Sequence, residues 1–168
     1  MELWDLYDKE RRPLGKTHLR GVPLAKGEYH LVVFVWVFNS CGQVLMTKRS
    51  PEKQSYPNLW EHTGGSAMAG ESSMQAIRRE LFEETGIRAE ARELTLVDTY
   101  TRVGSFCDIY FLQKDVALSE LTLQPGETCD AKWVTRAELE KMIAQGQVAK
   151  PDVQRYEQLK GKLKDLLK

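Results

Sequence analysis

Residues 65–87 read GSAMAGESSMQAIRRELFEETGI, and the way this stretch folds decides where the chemistry of the chain sits. Met74, Ile77 and Leu81 recur at helical spacing, Ser72 and Gln75 have the form of a capping box, and Gly86 supplies a stop, so the spacing predicts a helix from Ser72 to Thr85. On that helix Glu80, Glu83 and Glu84 stand at i, i+3 and i+4 and project from neighbouring positions of one face. Carboxylates so placed repel one another and tend to hold protons unless a cation neutralises them. A hard divalent ion does this: Mg2+, with Mn2+ as its substitute, prefers oxygen ligands and bridges carboxylates to phosphate oxygens. Zinc is disfavoured, because the face carries no soft ligand.

The flanking residues support such a site. Burial of Met74, Ile77 and Leu81 would pin the helix and present the glutamates rigidly. Arg79 can pair with Glu83 one turn on and orient it. Glu71 is placed to seat the helix or to cap backbone donors, and Gly64-Gly65 lets backbone approach a phosphate or metal closely. The ordinary reading of an acidic helical segment is a solvated face. Here seven fixed letters hold fixed spacing, a coincidence on the order of 10⁻⁸ per starting point at background frequencies.

Working outward, His30 to Phe38 reads as a buried strand turned at Asn39–Gly42 into a second near Val44 to Lys48. Ser50 to Trp60 reads as a surface loop leading into the glycine pair. Leu94–Val103 and Phe106–Gln113 are strands about Gly104, and Ala131–Val134 is a short strand after an irregular 118–129 segment. Thr135 opens a helix, and Pro151 starts a terminal helix through Leu167. Glu2–Asp8, resuming at Thr17, suggests a hairpin-like N-terminal extension. The expected architecture is α/β: one domain, residues 1–168, with a β extension over 1–29, a C-terminal helix over 151–168, and a mixed sheet flanked by helices.

The 168 residues are 42% hydrophobic, enough for one core. Twenty-four Lys and Arg balance twenty-four Asp and Glu, so no global field exists to hold a nucleic-acid backbone or an anionic membrane. Phosphate recognition must be local. Cys41, Cys107 and Cys129 are scattered and show no CxxC, which suits a reducing compartment. With no secretory segment or membrane span in the sequence, a cytoplasmic protein is expected. An exposed apolar N-terminal strand makes a homodimer an expectation that an elution volume tests.

The 65–87 stretch resembles the Nudix box at every position, and residues 31–134 look like a Nudix domain. The resemblance implies an α/β/α sandwich, divalent metal held by Glu80, Glu83 and Glu84, and hydrolysis of a small-molecule diphosphate, commonly a nucleoside derivative. Gly65, Glu71 and Arg79 carry over as structural or orienting positions. Family members often use a further loop carboxylate, for which Glu127 is the candidate; its other reading is an ordinary loop glutamate. Lys48 and Arg49 lie where a cation could reach substrate phosphate or simply end a strand in solvent. Trp60, Tyr100 and Phe106 either stack a base or pack in the core.

The chain is also similar to isopentenyl-diphosphate isomerase through Tyr29-His30-Leu31, Trp36–Asn39, Gly42-Gln43 and Lys48-Arg49-Ser50. That resemblance makes His30 either an inherited ligand position or a structural histidine. The isomerase needs a cysteine just before the box and a histidine two positions later, where this chain has Gly64 and Ser66. It also alters the paired acids that are intact here. Thr63 replaces the proline that often precedes the glycine pair, a change that bears on loop conformation. A third reading is a catalytically silent sensor that binds a nucleotide.

Overall fold

The computed structural model describes residues 1–168. The strands are β1 (Leu3–Tyr7), β2 (Pro13–Leu19), β3 (His30–Phe38), β4 (Val44–Arg49), β5 (Trp60–Glu61), β6 (Gly64–Ser66), β7 (Leu94–Arg102), β8 (Ser105–Gln113) and β9 (Thr128–Val134). The helices are α1 (Ser73–Thr85), α2 (Arg136–Ala144) and α3 (Lys150–Leu163). β1 and β2 form a separate two-stranded sheet, and the other seven strands share one sheet with the path β5-β4-β3-β8-β7, β6 pairing with β3 and β9 with β4.

The main sheet is mixed, as its sequence implies. β3 and β4 are antiparallel about the Asn39–Gly42 turn, with Phe38 opposite Val44. β3 and β8 run the same way: the His30 amide donates to the Gly104 carbonyl at one end, and the Lys114 amide donates to the Phe38 carbonyl at the other. β3 is fully buried on both faces over Val35–Phe38 and has one face buried and the other part-buried over His30–Phe34, which is why its sequence is a nearly continuous apolar run.

The chain divides into two compact units. One holds residues 1–35, 64–81 and 88–111; the other holds 36–63, 82–87 and 112–168. In the first, the β1–β2 hairpin, β6, most of α1, β7 and most of β8 bury Leu6, Leu31, Ile77, Leu81 and Ile109. In the second, β4, β5, β9, α2 and α3 bury Trp36, Met46, Leu139, Tyr156 and Leu159.

α1 forms as the spacing predicts, one residue shorter at its start. The Ser72 amide donates to Gln75 Oε1 at 2.8 Å, and the Gln75 amide to Ser72 Oγ at 3.2 Å, the reciprocal cap that satisfies two orphan donors. Gly86 ends the helix at φ 76°. Thr135 caps α2 with Glu138 in the same way. Several expected bounds shift. β2 begins at Pro13, four residues before Thr17. β9 begins at Thr128, because its register is set by the β4 partner, Arg49 opposite Thr128. α3 stops at Leu163 and a turn over 164–166 follows, after which Leu167 is buried. The stretch before and within the glycine pair holds two short strands, β5 and β6, where a continuous loop was expected.

Candidate functional site

One guanidinium organises the start of the box. Arg79 donates from Nε to Glu71 Oε1 at 2.7 Å, from Nη2 to Glu71 Oε2 at 2.9 Å and to the Ser66 carbonyl at 3.1 Å, and from Nη1 to Glu80 Oε1 at 3.0 Å. Glu71 Oε2 also accepts the Met68 amide at 2.8 Å. Glu71 thus seats the helix, as its position suggests. The bidentate bond from Glu71 raises the Arg79 pKa most. Burial pushes Glu71 up, but Arg79 and the Met68 amide outweigh it and hold the carboxyl below its ordinary range.

The glycine pair is required sterically. A Cβ at Gly65 would stand 2.2 Å from Glu80 Oε1 and 2.4 Å from its carboxyl carbon, and one at Gly64 would stand 2.4 Å from both Phe34 Cδ1 and the Val33 carbonyl oxygen. Real Cβ atoms do not approach so closely. At Gly65 the obstacle is the end of a flexible side chain, so Gly65→Ala folds but drives the Glu80 carboxylate off Arg79. With Glu80 in the catalytic role that the sequence resemblance implies, the expected result is a fall in kcat of about 10- to 100-fold, since a misplacement of about 1 Å in a catalytic group is worth that much. A thermal midpoint close to the parent's accompanies it. Unchanged kcat would show that the seat of Glu80 does not matter.

Helical geometry spreads Glu80, Glu83 and Glu84 over an arc of about 100°. Glu80 has 15% of its side chain exposed, Glu83 is exposed, and Glu84 is half-buried with Oε2 withdrawn from solvent. The sequence predicts a convergent trio. The helix puts the three on neighbouring positions, but no group of three or more His, Cys, Asp or Glu side chains is gathered closely enough to hold a metal ion. Glu80 is drawn to Arg79. The donor set still suits Mg2+, which keeps several waters and usually takes one or two carboxylates together with substrate phosphates.

The remaining expected site residues fall as follows. Arg49 on β4 is tied down: Nη1 donates to Glu61 Oε2 at 2.7 Å, Nε to the Ser55 carbonyl at 2.9 Å and Nη2 to Ser55 Oγ at 3.3 Å. Lys48, next along the strand, has Nζ 6.0 Å from the Trp60 ring centre, with Lys132 Nζ at 4.3 Å. Glu127 precedes β9 and is paired with Lys53. His30 lies flat on Trp4 with ring centres 3.9 Å apart. Burial pushes its pKa down to about 4, as for a neutral packing histidine. Phe106 is buried against Tyr29, and Trp60 is 9% exposed, so both pack as core residues.

Sequence reasoning missed a buried polar group in the second unit. Asp152, at the start of α3, accepts from the His62 amide at 3.0 Å and bonds His62 Nδ1 at 3.1 Å. Its other oxygen pairs with Arg155 Nη2 at 2.9 Å. His62 is stacked on Trp36 with ring centres 3.6 Å apart, and burial holds its pKa low. Glu61 stands beside this group. Burial first, then the charge of Asp152, raises its pKa to about 7, against the opposing pull of Arg49. An acid between Trp60 and His62, immediately ahead of the glycine pair, was the available signal.

Glu61 sets a pH dependence. It holds its proton to about pH 7 in the folded chain, but in the unfolded chain it loses it near its ordinary value of 4.5. The folded state therefore binds more protons in that window. Stability contributed by this group is highest below about pH 4.5, falls by up to about 3 kcal/mol as pH rises to 7, and is flat beyond. Glu61→Gln removes the slope, and urea melts between pH 5 and 7.5 read it; an equally steep slope in the variant would assign it elsewhere.

A NUDIX domain model matches residues 28–156. The chain belongs to the Nudix hydrolase family. It is 45% identical over 148 residues to an uncharacterized Nudix hydrolase of Listeria monocytogenes, covering 88% of each chain. The crystal structure of DR0079 from Deinococcus radiodurans superposes with a TM-score of 0.75 at 28% identity, covering 90% of this chain and 94% of that one. An isopentenyl-diphosphate Delta-isomerase of Paenarthrobacter aurescens is 29% identical over 145 residues, 81% of this chain and 77% of that protein. The resemblance to both groups seen in the sequence therefore holds, the hydrolases standing at higher identity. No helix of this Nudix hydrolase is long and apolar enough to cross a membrane.

Proposed function

We propose that the chain hydrolyses the diphosphate bond of a nucleoside diphosphate derivative or a nucleotide, with Mg2+ or Mn2+, and releases a monophosphate. The observation that carries the reading is the complete box on α1, with Arg79 holding Glu80 against Gly65. Glu80, Glu83 and Glu84 would hold the ion, and Glu127 is a further carboxylate for it if it leaves Lys53. When bound, the ion neutralises diphosphate oxygens and lowers the pKa of an attacking water. Arg79 keeps Glu80 oriented, and one glutamate of the set accepts the proton of that water. Lys48 and Arg49 are the proposed cations for the phosphates, Arg49 being held in a planar presentation by Glu61 and Ser55, and the bare Gly64-Gly65 backbone allows close approach of a phosphate. The family match includes segments of both compact units, which supports treating them as one working Nudix domain.

The isomerase relative supplies a second reading. Gly64 and Ser66 stand where the sequence resemblance expects that enzyme's cysteine and histidine, so hydrolysis is favoured. A screen of nucleoside diphosphate compounds with Mg2+ tests the proposal. The expected result is turnover to monophosphate products that stops in EDTA. Formation of the allylic isomer from isopentenyl diphosphate would replace the reading, and tight nucleotide binding without turnover would make the chain a sensor.

A further inference from the structure

The first 27 residues precede the family match, yet they bond directly to the box. In the β1–β2 hairpin the Leu3 carbonyl accepts the Ala69 amide at 2.7 Å. The Asp5 carboxylate accepts the Gly70 amide at 2.7 Å, and Gly70 turns there at φ 85°. These two donors lie just ahead of Glu71, the residue that grips Arg79. At the hairpin turn Arg11 makes a fork to fork pair with Asp108, Nη1 to Oδ1 at 2.8 Å and Nη2 to Oδ2 at 2.6 Å. The same carboxylate accepts from Ser73 Oγ at 2.6 Å and from Thr99 Oγ1 at 2.8 Å. Ser73 is the first residue of α1.

Arg11 achieves this from a costly backbone conformation. Its φ is 61°, a left-handed value that a long side chain avoids unless its surroundings fix it. Asp108 is 1% exposed; burial pushes its pKa up, but Arg11, Ser73 and Thr99 outweigh this and keep the carboxyl below its ordinary range. The guanidinium also lies 5.5 Å from the Phe106 ring centre. A hairpin serving only to cover apolar surface needs neither the strained arginine nor a buried charge shared with the first residue of the catalytic helix.

We propose that Asp5 and Arg11 are positioning residues for the hydrolytic site. The N-terminal hairpin fixes the Ala69-Gly70 turn from one side and the start of α1 from the other. Through Glu71 and Arg79 it fixes the seat of Glu80. This rests on the hydrolytic reading given above, and it adds to the reaction an element lying outside the matched family region.

The test compares the full chain with Asp5→Ala, Asp5→Asn, Arg11→Leu, Arg11→Lys and, as a control on the exposed hairpin surface, Lys9→Ala. All are assayed well below the lowest thermal midpoint, so that every variant is folded. Asp5→Ala and Arg11→Leu are expected to lower kcat about 10- to 100-fold with KM changed less than about 3-fold, and to raise the half-activating Mg2+ concentration. Arg11→Lys recovers part of the loss, because one ammonium cannot span both oxygens of Asp108. Lys9→Ala matches the parent. Amide exchange at Ala69 and Gly70 and Mn2+ titration of the substrate-free protein provide readouts independent of turnover. Faster exchange and weaker Mn2+ binding in the hairpin variants support the proposal even when the parent hydrolyses none of the compounds offered, an outcome that removes the hydrolytic reading alone. A lowered thermal midpoint with kcat, Mn2+ affinity and exchange unchanged would overturn it and leave the hairpin a covering element.

Discussion

Glu84→Gln lowers kcat by about 10²- to 10⁴-fold, the range associated with losing a positioned proton acceptor or metal-held carboxylate, while KM and the thermal midpoint change little. The substitution keeps the shape of the side chain and removes its charge, so the helix still forms under its own cap and packs by Ile77 and Leu81, both 0% exposed. Glu84 sits at the margin of that buried face with Oε2 withdrawn from solvent, so its charge is worth more there than in bulk water. Glu80→Gln should lose comparable activity and also slacken Arg79, whose Nη1 donates to Glu80 at 3.0 Å. Turnover measured with Mg2+ for both variants is the check. Activity retained by the two amides would mean that the acids on this face do not carry the reaction.

Asp152→Ala destabilises the chain by about 3–5 kcal/mol, because it breaks a buried ion pair by removing one partner. Arg155 is 4% exposed and Asp152 1%, so water does not readily replace the lost carboxylate. The His62 amide and Nδ1 lose their acceptor in the same change. Asp152→Asn retains an acceptor for the His62 amide and should cost clearly less. Urea unfolding with an unchanged slope and a lower midpoint is the expected observation. A midpoint within experimental error of the parent would show that water or a local shift replaces the carboxylate.

How much was legible in the sequence depended on how local the cause was. α1 could be read because its cap, its apolar spacing and its stop all lie within fifteen residues, and α2 because Thr135 and Glu138 form a local capping box. β3 could be read because burial on both faces leaves an unmistakable apolar run. β5 and β6 could not, since strands of two and three residues owe their existence to partners elsewhere, Gly64 opposite Phe34 and Glu61 opposite Thr47. The acids of the box were legible as types and spacings. The grip of Arg79 on Glu71 and Glu80 was not, because the turn that brings Glu71 back to Arg79 is set by the hairpin bonds at Ala69 and Gly70. The Asp152–His62 pair spans 90 residues of chain, and an acid after Pro151 looks like any helix-starting acid.

The crowding at Gly64 also bears on how two chemistries on this scaffold are separated. A cysteine in that place, as the isomerase resemblance demands, would drive its first side-chain carbon to 2.4 Å from the Val33 carbonyl oxygen and from the Phe34 ring. One of those obstacles is main chain in the middle of the sheet and cannot swing aside. Gly64→Cys in this chain therefore needs a shift of the strand backbone as well as of the Phe34 ring before the thiol can be seated.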